Sequence, residues 1–360
     1  MLNTPKTLNA LEMRAEVALL ELLAKIPTIE IEDIERERPS SQWEPDIIAH
    51  VRTGGRPHLL IVECKSSGQP RHARTALLEL RNYVVHGAPG VSAIFMAPYI
   101  SPAVRQLCEQ FSVGYLDLEG NARIAFDSVF IERTVGEKPV VEQRELKSLF
   151  KPKSAQVLRT ILREPGRAWR VAELATISRV SLGHVSNVRA GLLDREWAHI
   201  TEEGLLLTAP DELLNAWRDD YTAPAGERMR FYTPLHGRAF EEAALSALDD
   251  QGIQGHAAFA SFSAAHWLAP YGRTGTHYFF SDSIGLGRLQ SALKLSPATK
   301  GENVHITIVK DDGLLADTVE LEQGAVCTSP IQTYLDLSIA GERGEEAAEY
   351  LRRERLSWPT

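Results

Sequence analysis

The chain has 360 residues, 24% of them charged, with a net charge of −9, no low-complexity tract and three cysteines. That length and composition predict two or three globular domains, each able to bury a core, and exclude a disordered or collagen-like chain. Cys64, Cys108 and Cys327 lie far apart and show no CxxC spacing, so neither a zinc knuckle nor a disulfide framework is expected.

The first stretch places Leu11, Ala15, Ala18, Leu19, Leu22 and Ile26 at helical spacing and stops at Pro27. Its acids Glu12, Glu16 and Glu21 interrupt any apolar run of signal-peptide or membrane-span length, and the chain is read as cytoplasmic. Alternating "TIEIEDIERER" and "PDIIAHVR" read as strands, and "HLLIVECK" as a strand buried on both faces. "RHARTALLELRNYVVHG" is helical, "VSAIFMAPYI" a buried strand, and "SPAVRQLCEQF" a helix opened by Ser101 and Pro102. "VGYLDLEGNARIAF" reads as strand, turn, strand; a hairpin accounts for Tyr115, Asp117 and Glu119 better than a second catalytic group does. The order α, β, β, β, α, β, α, β, β predicts a mixed sheet covered by crossover helices over residues 1–135.

Residues 136–153 are polar and basic, with two prolines, and read as a linker or connecting helix. Residues 154–221 then show a helix ending near Pro165, a short helix from Val171 to Ile177, a third helix after Ser181 and a two-stranded tail. Residues 144–199 hold 11 Lys and Arg against 5 Asp and Glu, so this segment is at +6 and everything outside it at −15. Concentrated positive charge on a helix-turn-helix pattern is the electrostatic footprint of contact with phosphates.

The segment "VAELATISRVSLGHVSNVRAGLLDREW" resembles winged helix-turn-helix regulators, carried by the spacing of Ala172, Leu174, Ala175, Val180, Val185, Val188 and Leu192. The resemblance implies a recognition helix capped by Ser181 that presents Leu182, His184, Ser186, Asn187 and Arg189 to double-stranded DNA, with Arg179 in the turn before it. Asn187 suits adenine and Arg189 guanine, and either can instead meet phosphate. Three-helix units also serve as protein-contact or dimerisation modules.

Pro45 and Asp46, followed by Glu63 and Lys65 around Cys64, form the second constellation. On a strand Glu63 and Lys65 share one face. If Asp46 lies alongside, two oxygen ligands converge on Mg2+, which lowers the pKa of a bound water, and Lys65 orients or stabilises the hydroxide. The bland alternative is an ion pair at a strand end. The stretch resembles the PD-(D/E)xK, restriction-endonuclease-like superfamily, and the element order over residues 9–126 agrees with that core. The resemblance implies Asp46, Glu63 and Lys65 as catalytic residues and adds an acid of the first helix to the metal, for which Glu16 is the match and Glu21 is less well placed. Family members with Gln and Tyr four apart differ from this chain, where Glu79 stands four before Tyr83.

Residues 222–360 are acidic and mixed, with strand-like "GTHYFFS" and "NVHITIVK" and a closing helix, and read as a third, α/β domain. Histidines 256, 266, 277 and 305 lack metal-ligand spacing, and "GLGRLQ" lacks the phosphate-loop residues and reads as a turn. "TSPIQTYLDLSIAGERGEEAAEYLRRERL" and "FSAAHWLAPYG" resemble the C-terminal part of AbiEi-type antitoxins of type IV toxin-antitoxin systems, although those begin with the winged helix and this chain places about 140 residues before it.

The expectation is an α/β multidomain protein: a restriction-endonuclease-like core, a winged helix-turn-helix and a C-terminal α/β domain. Two functions follow, a Mg2+-dependent DNA endonuclease placed by the winged helix, or a non-catalytic regulator or antitoxin-like repressor built on a vestigial nuclease fold. Expected partners are double-stranded DNA, a second copy in a homodimer, and a toxin or other protein on residues 222–360, with no membrane.

Overall fold

The computed structural model describes residues 5–36, 44–86, 89–135, 139, 146–249, 256–272, 275–322 and 324–358. They show mixed α/β architecture in two compact units, residues 1–146 with 192–196, and residues 147–191 with 197–360. Half of the expected linker, residues 136–138 and 140–145, lies outside the described residues.

In the first unit the elements are α1 (Pro5–Leu23), β1 (Ile29–Arg36), β2 (Ile47–Thr53), β3 (Arg56–Cys64), α2 (Pro70–His86), β4 (Val91–Ala97), α3 (Pro102–Phe111), β5 (Gly114–Asp117), β6 (Ala122–Phe126) and β7 (Val129–Arg133). The seven strands lie in sequence order in one sheet. β3, β4 and β5 are parallel neighbours, and the other pairs are antiparallel. The two parallel steps are the ones that contain helices, because a parallel return needs a crossover that a hairpin cannot supply. β7 was not expected; its five residues continue the hairpin that begins at β5.

Alternation along β3 sorts its side chains between two cores. Leu60, Val62 and Cys64 join Leu11, Ala15, Leu19 and Leu23 of α1. Ile61 joins Ala73, Ala76, Leu77 and Leu80 of α2 and Val104, Leu107 and Cys108 of α3. Burying each large apolar side chain contributes roughly 1.5–3 kcal/mol, so both faces hold the sheet. The hairpin turn after β5 is organised by buried Asp117, whose carboxylate accepts from Asn121 N (2.8 Å), Glu119 N (3.1 Å) and Ile100 N (3.1 Å).

The second unit begins with α4 (Pro152–Arg163), α5 (Val171–Ile177), α6 (Leu182–Asp194, of which residues 192–194 are grouped with the first unit), and a hairpin of β8 (Ala198–Ile200) and β9 (Leu205–Leu207). Leu174, Val185, Val188 and Leu192 are buried as their spacing predicts, but Ala172 is exposed and Ala175 and Val180 are half-buried. The short helix α5 turns one narrow face inward, and Leu174 alone fills it.

α7 (Pro210–Asp219), β10 (Gly226–Tyr232), α8 (Arg238–Leu248), β11 (Ala257–Phe259), α9 (Ser261–Leu268), β12 (His277–Ser281), α10 (Ser283–Ala292), β13 (Ser296–Pro297), β14 (Val304–Val309), α11 (Asp312–Ala316), β15 (Thr318–Glu320), β16 (Val326–Thr328), α12 (Pro330–Ser338) and α13 (Glu342–Arg355) complete it. Its strands form a second sheet in the order β13-β10-β14-β12-β11-β16-β15.

"GLGRLQ", expected as a turn, is helical in α10. Asp282 caps that helix, its Oδ1 accepting from Gly285 N at 2.7 Å, while its Oδ2 accepts from His256 N at 2.8 Å. A Cβ at Gly285 would stand 2.3 Å from His256 O, so glycine is there to let the helix meet the strand approach closely and not to make a turn. Cys64, Cys108 and Cys327 are free and buried. Among the described residues no helix is long and apolar enough to cross a membrane.

Candidate active site

β2 and β3 are antiparallel with Ile47 opposite Val62, so the start of one strand lies at the end of the other. Asp46 therefore stands across from Glu63, and the Asp46 carboxylate accepts from Cys64 N at 2.6 Å. Lys65 follows β3 directly, anchored by its backbone N–H to Met96 O at 2.9 Å, and its ammonium donates to Glu63 Oε1. The next residues fold tightly onto the end of β4: a Cβ on Gly68 would stand 1.9 Å from Tyr99 O, so only glycine permits this path.

A pocket of about 570 Å3 opens here, lined by Asp46 and Lys65, by Ser66 and Ser67 of the loop, and by Arg71, His72 and Thr75 in the first turns of α2. Glu63 is 4% exposed, and its Oε2 is buried without a hydrogen-bond partner. Burial, and then the Asp46 charge, push the Glu63 carboxyl up to about 7 against the pull of Lys65. Burial also raises Asp46, partly offset by the Cys64 N–H and the Lys65 charge. For Lys65 burial works downward, but Glu63 and Asp46 outweigh it and raise the ammonium above its ordinary range. Two acids and one base thus sit close enough to shift one another, the arrangement in which titrations become coupled.

Glu16 is not brought to this centre. Its carboxylate pairs with Arg36 of β1 at 2.8 Å. The acid of α1 whose charge reaches the site is Glu12, raised by burial and then by Asp46, and Glu79 of α2 adds a smaller push on Glu63. Glu12 and Glu16 are one helical turn apart and share a face, so spacing alone could not choose between them; the Arg36 partner decides it. Among the described residues no group of three or more His, Cys, Asp and Glu forms a cluster able to hold a metal ion.

In the second unit, Ser181 Oγ accepts from His184 N at 3.3 Å at the start of α6. Arg179, Ser181, Ser186 and Asn187 are exposed, and Arg179 takes a left-handed backbone (φ 52°) that turns the chain between α5 and α6. His184 and Arg189 are half-buried; the His184 ring lies 3.1 Å from Ser154 Oγ of α4, which draws it off the open face.

No family model and no curated protein sequence matches the chain. A solved structure described as "Structure of EndoMS in apo form" is similar at 15% identity with a TM-score of 0.22, covering 29% of this chain and 45% of that one. The chain thus spans less than half of that relative's length, and a TM-score at this level establishes no shared architecture.

Proposed function

We propose that the first unit carries a phosphodiester-hydrolysing centre of Asp46, Glu63 and Lys65 acting on double-stranded DNA, with α6 supplying the contact that places the duplex. The observation that carries this reading is the unpartnered Glu63 Oε2, buried on the residue that stands across from Asp46, which lines a polar pocket together with Lys65. Leaving such an oxygen unpaired costs about 1–3 kcal/mol unless it serves a ligand.

The donor chemistry fits Mg2+: two hard carboxylate oxygens from Asp46 and Glu63, with the rest of the shell left to water and substrate oxygens, as this ion prefers. When bound, the ion supplies a water of lowered pKa and charge to offset the phosphate. The chain's own residues do the remainder. Asp46 is held in place by the Cys64 N–H, and Lys65 keeps a full positive charge beside the reacting phosphate. Ser66, Ser67 and Thr75 present hydroxyls along the pocket wall.

The test is cleavage of supercoiled and linear DNA with Mg2+, Mn2+ or EDTA, beside Glu63→Ala and Lys65→Ala. Loss of roughly 100-fold or more in each variant, with no cutting in EDTA, is expected; cutting that survives both substitutions removes the assignment.

A second reading, a non-catalytic regulator or antitoxin-like repressor, is favoured by one observation: the Lys65 ammonium already occupies one oxygen of Glu63. In that case the intact chain retains DNA without cutting it, and Arg179→Ala and Asn187→Ala weaken retention while Glu63→Ala does not.

A further inference from the structure

The second sheet bears a cavity that the nuclease reading leaves unused. Cross-strand register puts Arg230, His305 and Tyr278 side by side, and two residues further along each strand it does the same for Arg228, Thr307 and Phe280. Side chains two apart share a face, so these six lie on one side of the sheet. They border a cavity of about 290 Å3 that is closed on its other side by the end of α12, at Asp336, Ile339 and Ala340.

Two polar atoms of residues lining this cavity are buried and unpartnered, Asp336 Oδ2 and His305 Nε2. Asp336 is 8% exposed, and its Oδ1 accepts from Tyr221 OH at 2.5 Å and Gln332 Nε2 at 3.0 Å. Those two bonds fix the carboxyl group, so Oδ2 cannot turn elsewhere. The His305 ring is likewise held, edge-on to Tyr278 with centroids 5.3 Å apart. The volume is about ten times the share of one water in the liquid, near the lower end for small-molecule sites, and two aromatic rings border it. Tyr278 and Phe280 in the lining favour a ligand with an apolar, planar face.

We propose that this cavity binds a small planar heteroaromatic molecule carrying an exocyclic amino group, the class of aminopurine and aminopyrimidine bases. The amino N–H donates to Asp336 Oδ2, and a ring nitrogen meets His305 Nε2, which donates or accepts according to its tautomer. Tyr278 and Phe280 provide the apolar wall for the ring.

The test is calorimetric titration of the full chain with adenine and cytosine, and with purine, which lacks the amino group. Saturable binding of an amino base is expected, with purine about tenfold weaker or worse. Asp336→Asn keeps an oxygen for Tyr221 and Gln332 but places an N–H donor where Oδ2 stood, and should weaken the amino base by about tenfold or more. Ala340→Trp, on the exposed rim, should block the cavity without touching the buried bonds. Absence of saturable binding of either base up to roughly 5 mM overturns the proposal. So does equal affinity for purine, unchanged binding by Asp336→Asn, or unchanged binding by Ala340→Trp.

Discussion

Glu63 shows how the stability that a single side chain contributes can depend on its proton. Its carboxyl is raised to about 7 by burial and by Asp46, so the folded chain holds a proton that the unfolded chain releases near the ordinary carboxylate range. For a group raised in this way, the stability it contributes is fully present below the unfolded value and is lost as pH rises through about 7. Hydrogen exchange of residues 56–64 should therefore speed up between about pH 5 and pH 8 beyond its intrinsic pH dependence. Glu63→Gln, uncharged throughout, should flatten that excess. An excess that persists in Glu63→Gln would place its origin in another group. The residue types at 46, 63 and 65 were legible from the sequence, since a glutamate closing an apolar run is costly enough to need a reason. That Glu12 and not Glu16 reaches the site was not legible, because it depends on which acid Arg36 takes.

At the scale of elements, periodicity was a reliable guide wherever a helix or strand was long enough to repeat it. α1, α2 and α3 and the strands from β1 to β4 follow their apolar spacing. β11, β15 and β16 have three residues each, too few to alternate visibly, and they find their places only by pairing within the second sheet. α10 departs from the turn that its sequence suggests, because capping by Asp282 and close packing of Gly285 on His256 make it a helix. Asp282→Ala should cost about 1–2 kcal/mol of stability through the lost cap. Gly285→Ala should cost about 1–3 kcal/mol by forcing helix and strand apart. Urea unfolding of each variant checks both. A second element-level contact joins α4 to α12: Arg159, buried, lies 2.9 Å from Asp317 and donates to Gln332 at 3.2 Å. Arg159→Ala leaves Gln332 without that donor, while Asp317 keeps Arg163 and Ser329 as partners, and should destabilise this unit by about 1–3 kcal/mol, seen as a lower urea midpoint.

Across the whole molecule the net charge is −9, yet the segment containing α4, α5 and α6 is positive. If the duplex meets that segment, affinity should fall steeply with salt. Arg179→Ala, which removes one exposed cation, should lower the slope of log K against log salt by about one. Gel-shift titrations at several salt concentrations measure this, and an unchanged slope would place Arg179 away from phosphate. The sequence by itself determined the α/β class, the helices and strands with a full period of apolar spacing, the positive segment and the Asp46, Glu63, Lys65 constellation, because these are properties of local order and charge. Only the tertiary structure decided that Asp46 faces Glu63 across two antiparallel strands, that Glu16 is taken by Arg36, and that Asp336 and His305 border one cavity. Those juxtapositions join residues far apart in the chain, and strand register and helix packing, which no local pattern encodes, bring them together.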